Sequence, residues 1–281
     1  MMRNLLYTLL LACFQTLAIA APPTDSIPTN RFTSHAMSYG IGTVNLLETY
    51  LSPQEYTGTQ IHFMRETMRK TRWMHGKIST QSILQGNASY TRTQVREGKA
   101  LAGGISWSVG WHYNWQPAPT LRLMAGTLLD LNGGFVYNTR NGNNPAQGKL
   151  ATDIAASGAA IYSFKIKNQN FIARYQLNIP LVGLMFSPAF GQSYYELFSL
   201  GEYDNNVRFT TPINAPSLSQ LISLDVPIKT ATFRISYLCD IKQSKVNQLK
   251  SHAWSHLFLL GFVKHFSLVK NKDIHRSQFI Y

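Results

Sequence analysis

The sequence predicts an all-β fold: a single up-and-down antiparallel transmembrane β-barrel of about ten strands, with twelve as the alternative count. Three observations predict it. The chain opens on an export leader yet is poor in charge, its long runs alternate apolar and polar residues with period two, and tight breaks alternate with long ones.

The leader comes first. Arg3 is its only charge, an apolar run follows from Leu5 to Ala12, and Ala18-Ile19-Ala20 offers small residues at a cut before Ala21-Pro22-Pro23. A short positive segment, an apolar stretch and a small-residue site read as a secretory signal peptide over residues 1–21. An N-terminal helix packed on a core is the alternative. Leu10-Leu11-Ala12-Cys13 is a poor lipoprotein box, because Leu11 is bulky and apolar residues continue past Cys13. The expected organisation is a leader over 1–21, a flexible mature N-terminus over 22–34, the barrel over 35–268 and a tail over 269–281.

Composition narrows the class. Hydrophobic residues make up 44% of the chain and charged residues only 14%, whereas a soluble domain is nearer ~25% charged. No segment after the leader has the ~18 uninterrupted apolar residues of a spanning helix. In a bilayer, the remaining way to satisfy every backbone polar group is a closed barrel. Beyond the leader Cys239 is the only cysteine, so an intramolecular disulfide is excluded. The balance of 26 Lys+Arg against 13 Asp+Glu is basic. Export argues against nucleic acid as the counterpart; outer-membrane lipid and lipopolysaccharide are expected, with the barrel-assembly machinery during biogenesis.

The runs then follow in order. Strands are expected near 35–51, 59–73, 77–92, 100–116, 120–137, 151–167, 170–186, 218–228, 230–246 and 252–268. The first two alternate weakly, with Arg65, Arg69 and Trp73 sharing a face with Ile61 and Phe63. In the third, Gln81, Gln85, Asn87 and Ser89 oppose Ile78, Leu84, Ala88 and Tyr90. The fourth is the clearest: Leu101, Ile105, Trp107, Val109, Trp111, Tyr113 and Trp115 alternate with Ser106, Ser108, His112 and Asn114. Strand side chains point to opposite faces in turn, and a helix would mix these classes. In the fifth, Leu121, Leu123, Leu129 and Leu131 oppose Arg122, Asp130 and Asn132. The seventh sets Phe171, Ala173, Tyr175, Leu177, Ile179 and Leu181 against Arg174, Gln176 and Asn178. The ninth sets Phe233, Ile235, Tyr237 and Cys239 against Arg234, Asp240 and Lys242. Phe258, Phe262 and Phe266 place aromatics on the last strand, as lipid-facing girdles require. Tight turns near 74–76, 116–119, 167–169 and 227–229 alternate with longer breaks at 52–58, 93–99, 138–150 and 187–217, with 247–251 an exception. That asymmetry belongs to bacterial barrels. A β-sandwich would also bury one face of each strand, but with shorter strands and no such asymmetry.

Four stretches carry a resemblance: GIGTVNLLETYLSPQEYTG (40–58), FVYNTRNGNNPA (135–146), FSPAFGQSYYELFSLG (186–201) and QSKVNQLKSHAWSHLFLLGFVKHF (243–266). They resemble a family of exported Bacteroidales proteins catalogued as a domain of unknown function. The resemblance implies an outer-membrane location and brings no catalytic motif. Asp25-Ser26-Ile27 also looks like a Bacteroidetes O-glycosylation acceptor.

Candidate chemistry is sparse. A lipid hydrolase of this environment would pair a His with a Ser on neighbouring strands. His252 and His256 share one face while Ser255 lies on the other, so a local pair is excluded and a cross-strand pair stays open. His75 is expected in a turn and His112 facing the lumen. No metal-spaced cluster or phosphate-cradling glycine loop occurs, so no metal, cofactor or catalytic residue is assigned. The inward faces hold charge of both signs: Arg122, Asp130, Arg174, Asp225, Arg234, Asp240 and Lys242. A ten-stranded lumen is largely filled by side chains. These groups are therefore expected to form a salt-bridge plug, or else to line a narrow polar conduit. The loop 187–217 carries Tyr194, Tyr195, Phe198 and Tyr203, suited to surface recognition or to plugging the mouth. The function expected is a non-enzymatic outer-membrane barrel for envelope structure, surface interaction or narrow solute passage. A membrane-embedded lipid-modifying hydrolase and a soluble periplasmic ligand-binding β-sandwich are the alternatives.

Overall fold

Period-two runs this long can satisfy their backbone groups in lipid only by pairing on both edges, and the wall strands pair so over most of their length. The computed structural model describes residues 32–95, 97–142, 144–167, 169–228 and 231–267. The expected leader with Cys13, the candidate acceptor Ser26 and the tail 269–281 lie outside these residues.

Eleven strands follow in chain order: β1 (Phe32–Glu48), β2 (Ser52–Lys70), β3 (Ile78–Arg92), β4 (Lys99–Ala118), β5 (Leu121–Asn138) and β6 (Ala146–Ile166). After them come β7 (Gln169–Phe186), β8 (Val207–Thr210), β9 (Leu218–Ile228), β10 (Ala231–Val246) and β11 (Leu249–Ser267). All but β8 form the wall, a meander closed by the antiparallel pairing of β1 with β11. The wall thus has ten strands, as expected, and not twelve. A closed ring also rules out the two separate sheets of a sandwich.

Alternation assigns the faces. Trp107, Trp111, Trp115, Phe258 and Phe262 project outward and are exposed, as a lipid-facing surface requires. The side chain of Phe266 is outside the described residues. At one end β4–β5, β6–β7 and β9–β10 join over short connections, whereas β2 and β3, expected to join by a tight turn, are linked by residues 71–77, with a 3-10 turn at Trp73–Gly76 that holds His75. The other end carries the longer loops, but less regularly than the sequence suggested. Residues 52–58, expected as a loop, belong to β2. Tyr56 turns inward to pack with Val44, Leu46 and Ala100, and Asn45 Nδ2 donates to Glu55 Oε2 at 3.0 Å. Likewise β6 starts at Ala146, because inward-facing Gln147 is buried. β11 starts at Leu249, since Asn247 and Gln248 adopt positive φ of 51° and 64° in a two-residue hairpin turn.

Two elements have no counterpart in the alternation. A short helix, α1 (Tyr194–Phe198), is closed by a capping box between Ser193 and Glu196. Strand β8 pairs with the top of β7, where Gly183 faces Thr210 and Phe186 faces Val207. Both lie in the loop 187–217, which contains turn residues and no long periodic run.

A lipid-facing wall makes a specific prediction. Ile61 is 58% exposed on the outer face of β2. Ile61→Lys should cost roughly 2–4 kcal/mol of stability in lipid vesicles, read from urea unfolding. No loss would mean that this face meets water.

Candidate functional site

The interior is built in bands, each set by the inward residues of several strands. At the tight-turn end, Ala36, Met68, Met124, Ala159, Ile161 and Val263 form an apolar floor. One inward position above Met68 stands Glu66, fully enclosed. Arg174 reaches it in fork geometry, with Nη1 2.9 Å from Oε2 and Nη2 2.7 Å from Oε1. Arg234 Nη1 lies 2.8 Å from the same Oε2, and its Nε and Nη2 donate to the Asp225 carboxylate at 2.6 and 2.8 Å. Gln81 Nε2 donates to Glu66 Oε1 at 2.6 Å, and Gln176 joins Gln81 to Ser157 and Asn178. Two carboxylates against two guanidiniums leave no net charge, which is the condition for burying them. Above this quartet lies a second apolar band of Met64, Ile83, Leu221, Leu238, Leu257 and Leu259. Removing one member of such a buried set strands its partners at a cost of roughly 3–5 kcal/mol.

The seven expected lumen charges all face inward but do not form one network. Arg174, Asp225 and Arg234 make the quartet with Glu66, which sequence reasoning missed. Arg122 lies at the tight-turn end, on β5 opposite Ile161. Asp130, Asp240 and Lys242 lie above the second apolar band, around a cavity of about 280 Å³. Asp153 joins them, directly across from Asp130 on neighbouring strands. Lys242 Nζ is 3.7 Å from Asp240 and donates to Asn132 Oδ1 at 3.2 Å. Three carboxylates therefore share this chamber with one ammonium. Its upper rim carries the Glu48–Lys149 ion pair.

The loop aromatics divide. Tyr194 OH accepts from Gly148 N at 2.6 Å and donates to Gln147 at 3.1 Å, so this ring folds onto the mouth. Tyr195 and Tyr203 are exposed, and Phe198, also exposed, stacks on Tyr194 with ring centroids 5.8 Å apart. Tyr50, in the β1–β2 turn, packs edge-on to Tyr194 with centroids 6.0 Å apart and donates to the Gln192 carbonyl at 2.7 Å.

The histidines sit as their alternation requires. His252 stacks on Trp254 on the outer face, while Ser255 turns inward and donates to Gln60 at 2.9 Å. His256 contacts the Tyr237 hydroxyl at 2.7 Å on the lipid side, a phenol rather than a serine. His112 Nε2 lies 2.8 Å from Ser157 Oγ across two strands. The pair spans the intervening β5 and is therefore not on neighbouring strands as a hydrolase would need, and both residues are buried and neither lines the chamber. His112 Nδ1 has no partner to orient the ring.

The sequence matches the model of the protein family of unknown function DUF3316 over residues 5–273. The chain belongs to the DUF3316 family. No curated protein matches it. This DUF3316 barrel is similar in structure to the transport unit of the autotransporter AIDA-I from Escherichia coli. The identity is 9% and the TM-score 0.42, covering 91% of this chain and 97% of that one. The outer membrane protease OmpT from Escherichia coli is similar at 7% identity and TM-score 0.43, covering 87% and 99% of the two chains. An outer membrane channel from Pseudomonas putida F1 gives 8% identity and TM-score 0.38, covering 88% and 100%. The fold assignment rests on the closed strand pairing itself.

Docking of the loop should depend on pH through Tyr50. Burial, with Tyr194, Glu196 and Glu48 nearby, pushes its hydroxyl up from 10.0 to about 12. A raised value favours the protonated folded form, so the contribution is complete below pH 10.0 and is lost as pH rises through about 12. Limited proteolysis of residues 187–206 should accelerate across that window, and Tyr50→Phe should remove the pH dependence that this hydroxyl causes. An identical profile in Tyr50→Phe would refute the assignment.

Proposed function

We propose that this DUF3316 protein is a non-conducting, non-enzymatic barrel of the Gram-negative outer membrane that holds a small ligand in its upper chamber. The observation that carries this reading is the Glu66–Arg174–Arg234–Asp225 quartet between two apolar bands. A hydrated ion crossing the lumen would have to break buried ion pairs and pass two water-excluding layers. Solute passage is the weaker reading for that reason. The hydrolase reading is weakened by the burial of Ser157 and His112.

Orientation follows barrel habit, with tight turns in the periplasm and longer loops outside. The chamber then lies on the exterior side of the quartet. Arg208, Lys245 and Lys250, all exposed near the outer rim, suit the phosphates of lipopolysaccharide. The barrel-assembly machinery would act during insertion.

Planar-bilayer recording is the test. Purified full chain should give a trace indistinguishable from a protein-free membrane, whereas discrete, reproducible conductance steps would overturn the closed-lumen reading.

A further inference from the structure

Among the described residues, the pairing along one edge of β7 is interrupted within the wall. β9 pairs with β7 from Ile172–Asp225 up to Asn178–Ser219, and β8 takes over only from Gly183–Thr210. Between these, Ile179, Pro180, Leu181 and Val182 have no strand partner on that edge among the described residues. The facing segment, 211–217, turns away to β10, with Lys245 N donating to the Asn214 carbonyl at 2.7 Å. The other edge of β7 is disturbed too. Pro180 faces Ala155 and Val182 faces Ile154, so Leu181 is a bulge. Proline and a bulge together mark a place where a strand is not asked to pair fully.

This interruption lies within the apolar belt. Exposed Tyr175 lies on one side of it, exposed Leu184 and Phe209 on the other, Leu181 and Val182 are exposed within it, and Ile213 at its bank is 93% exposed. Unpaired backbone at membrane depth is tolerated only where it is covered by protein or lines a polar cavity. The chamber supplies that cavity. It is lined by both banks, including Pro180, Leu181, Ala215 and Ser217, and by Asp130, Asp153 and Asp240. The free backbone groups and the carboxylates thus face one space whose outer lip is apolar.

We propose that this interruption is a lateral portal through which a cationic amphiphile docks, its ammonium head among Asp130, Asp153 and Asp240 and its chain in the bilayer. The tail has a path because the lip is apolar. The head has a destination because carboxylates outnumber ammonium groups there. The inference deepens the ligand-holding reading and rests on it. Conductance decides whether the lumen is closed, and the binding assay below decides the portal, so the two fail separately.

The test uses the full chain in phosphatidylcholine nanodiscs, with dodecylammonium, dodecanol and dodecyl sulfate as probes and bound copies counted by native mass spectrometry. Saturable binding of dodecylammonium, roughly tenfold tighter than dodecanol, is expected, with none for dodecyl sulfate. The double variant Asp153→Asn/Asp240→Asn should weaken dodecylammonium to the level of dodecanol. Ala215→Phe, which fills the opening, should slow or abolish binding, and Leu181→Ala, which widens it, should speed capture. Heat-modifiable migration in SDS checks that each variant is folded. Should Ala215→Phe fail to fold, the Leu181→Ala rate decides alone. Absence of saturable binding, equal binding of all three probes, or a capture rate unaffected by the portal variants that do fold would overturn the proposal.

Discussion

A closed ten-stranded wall has an interior that must be filled, and here the filling depends on one carboxylate. Glu66 accepts from Arg174 and Arg234 at once, and Arg234 spans from Glu66 to Asp225. These residues come from β2, β7, β9 and β10, so the contact ties together strands that do not all pair with one another. Burial makes each charge expensive alone and tolerable only in the set. The apolar bands on either side exclude the water that would otherwise compete. The chamber above is what remains of the lumen once this band is closed.

The same constraint explains why the charges divide into groups. Asp225 and Arg234 are directly cross-strand partners, whereas Asp130, Asp240 and Lys242 stand one apolar layer higher. Among the described lumen residues, excess negative charge is held in the chamber, where space remains for solvent or ligand.

Much of this was legible in sequence where alternation was clean. The run from Leu101 to Trp115 set the two faces of β4, and the inward direction of Arg174, Asp225, Arg234, Asp240 and Lys242 followed from the same rule. Glu66 was not legible because Arg65 and Arg69 break the apolar pattern of β2, hiding the inward set of His62, Met64, Glu66 and Met68. Asp153 sits among alanines and small residues on β6 that give little contrast between faces. Leu181 kept the phase in sequence but occupies a bulge, and a bulge leaves no mark in a two-residue period. The loop elements α1 and β8 are too short for periodicity to register. The link between Tyr194 and Gln147 is a tertiary contact without local signature.

A thermodynamic double-mutant cycle between Glu66 and Arg234 tests the central interaction most directly. Glu66→Gln, Arg234→Met and the double variant would be unfolded in urea from lipid vesicles, with the exposed Glu97–Arg140 pair, 3.5 Å apart, as reference. Coupling of about 2–3 kcal/mol is expected for the buried pair and under about 1 kcal/mol for the exposed one. Additive effects at Glu66 and Arg234, within about 0.5 kcal/mol, would contradict the claim that this charge set holds the lumen closed.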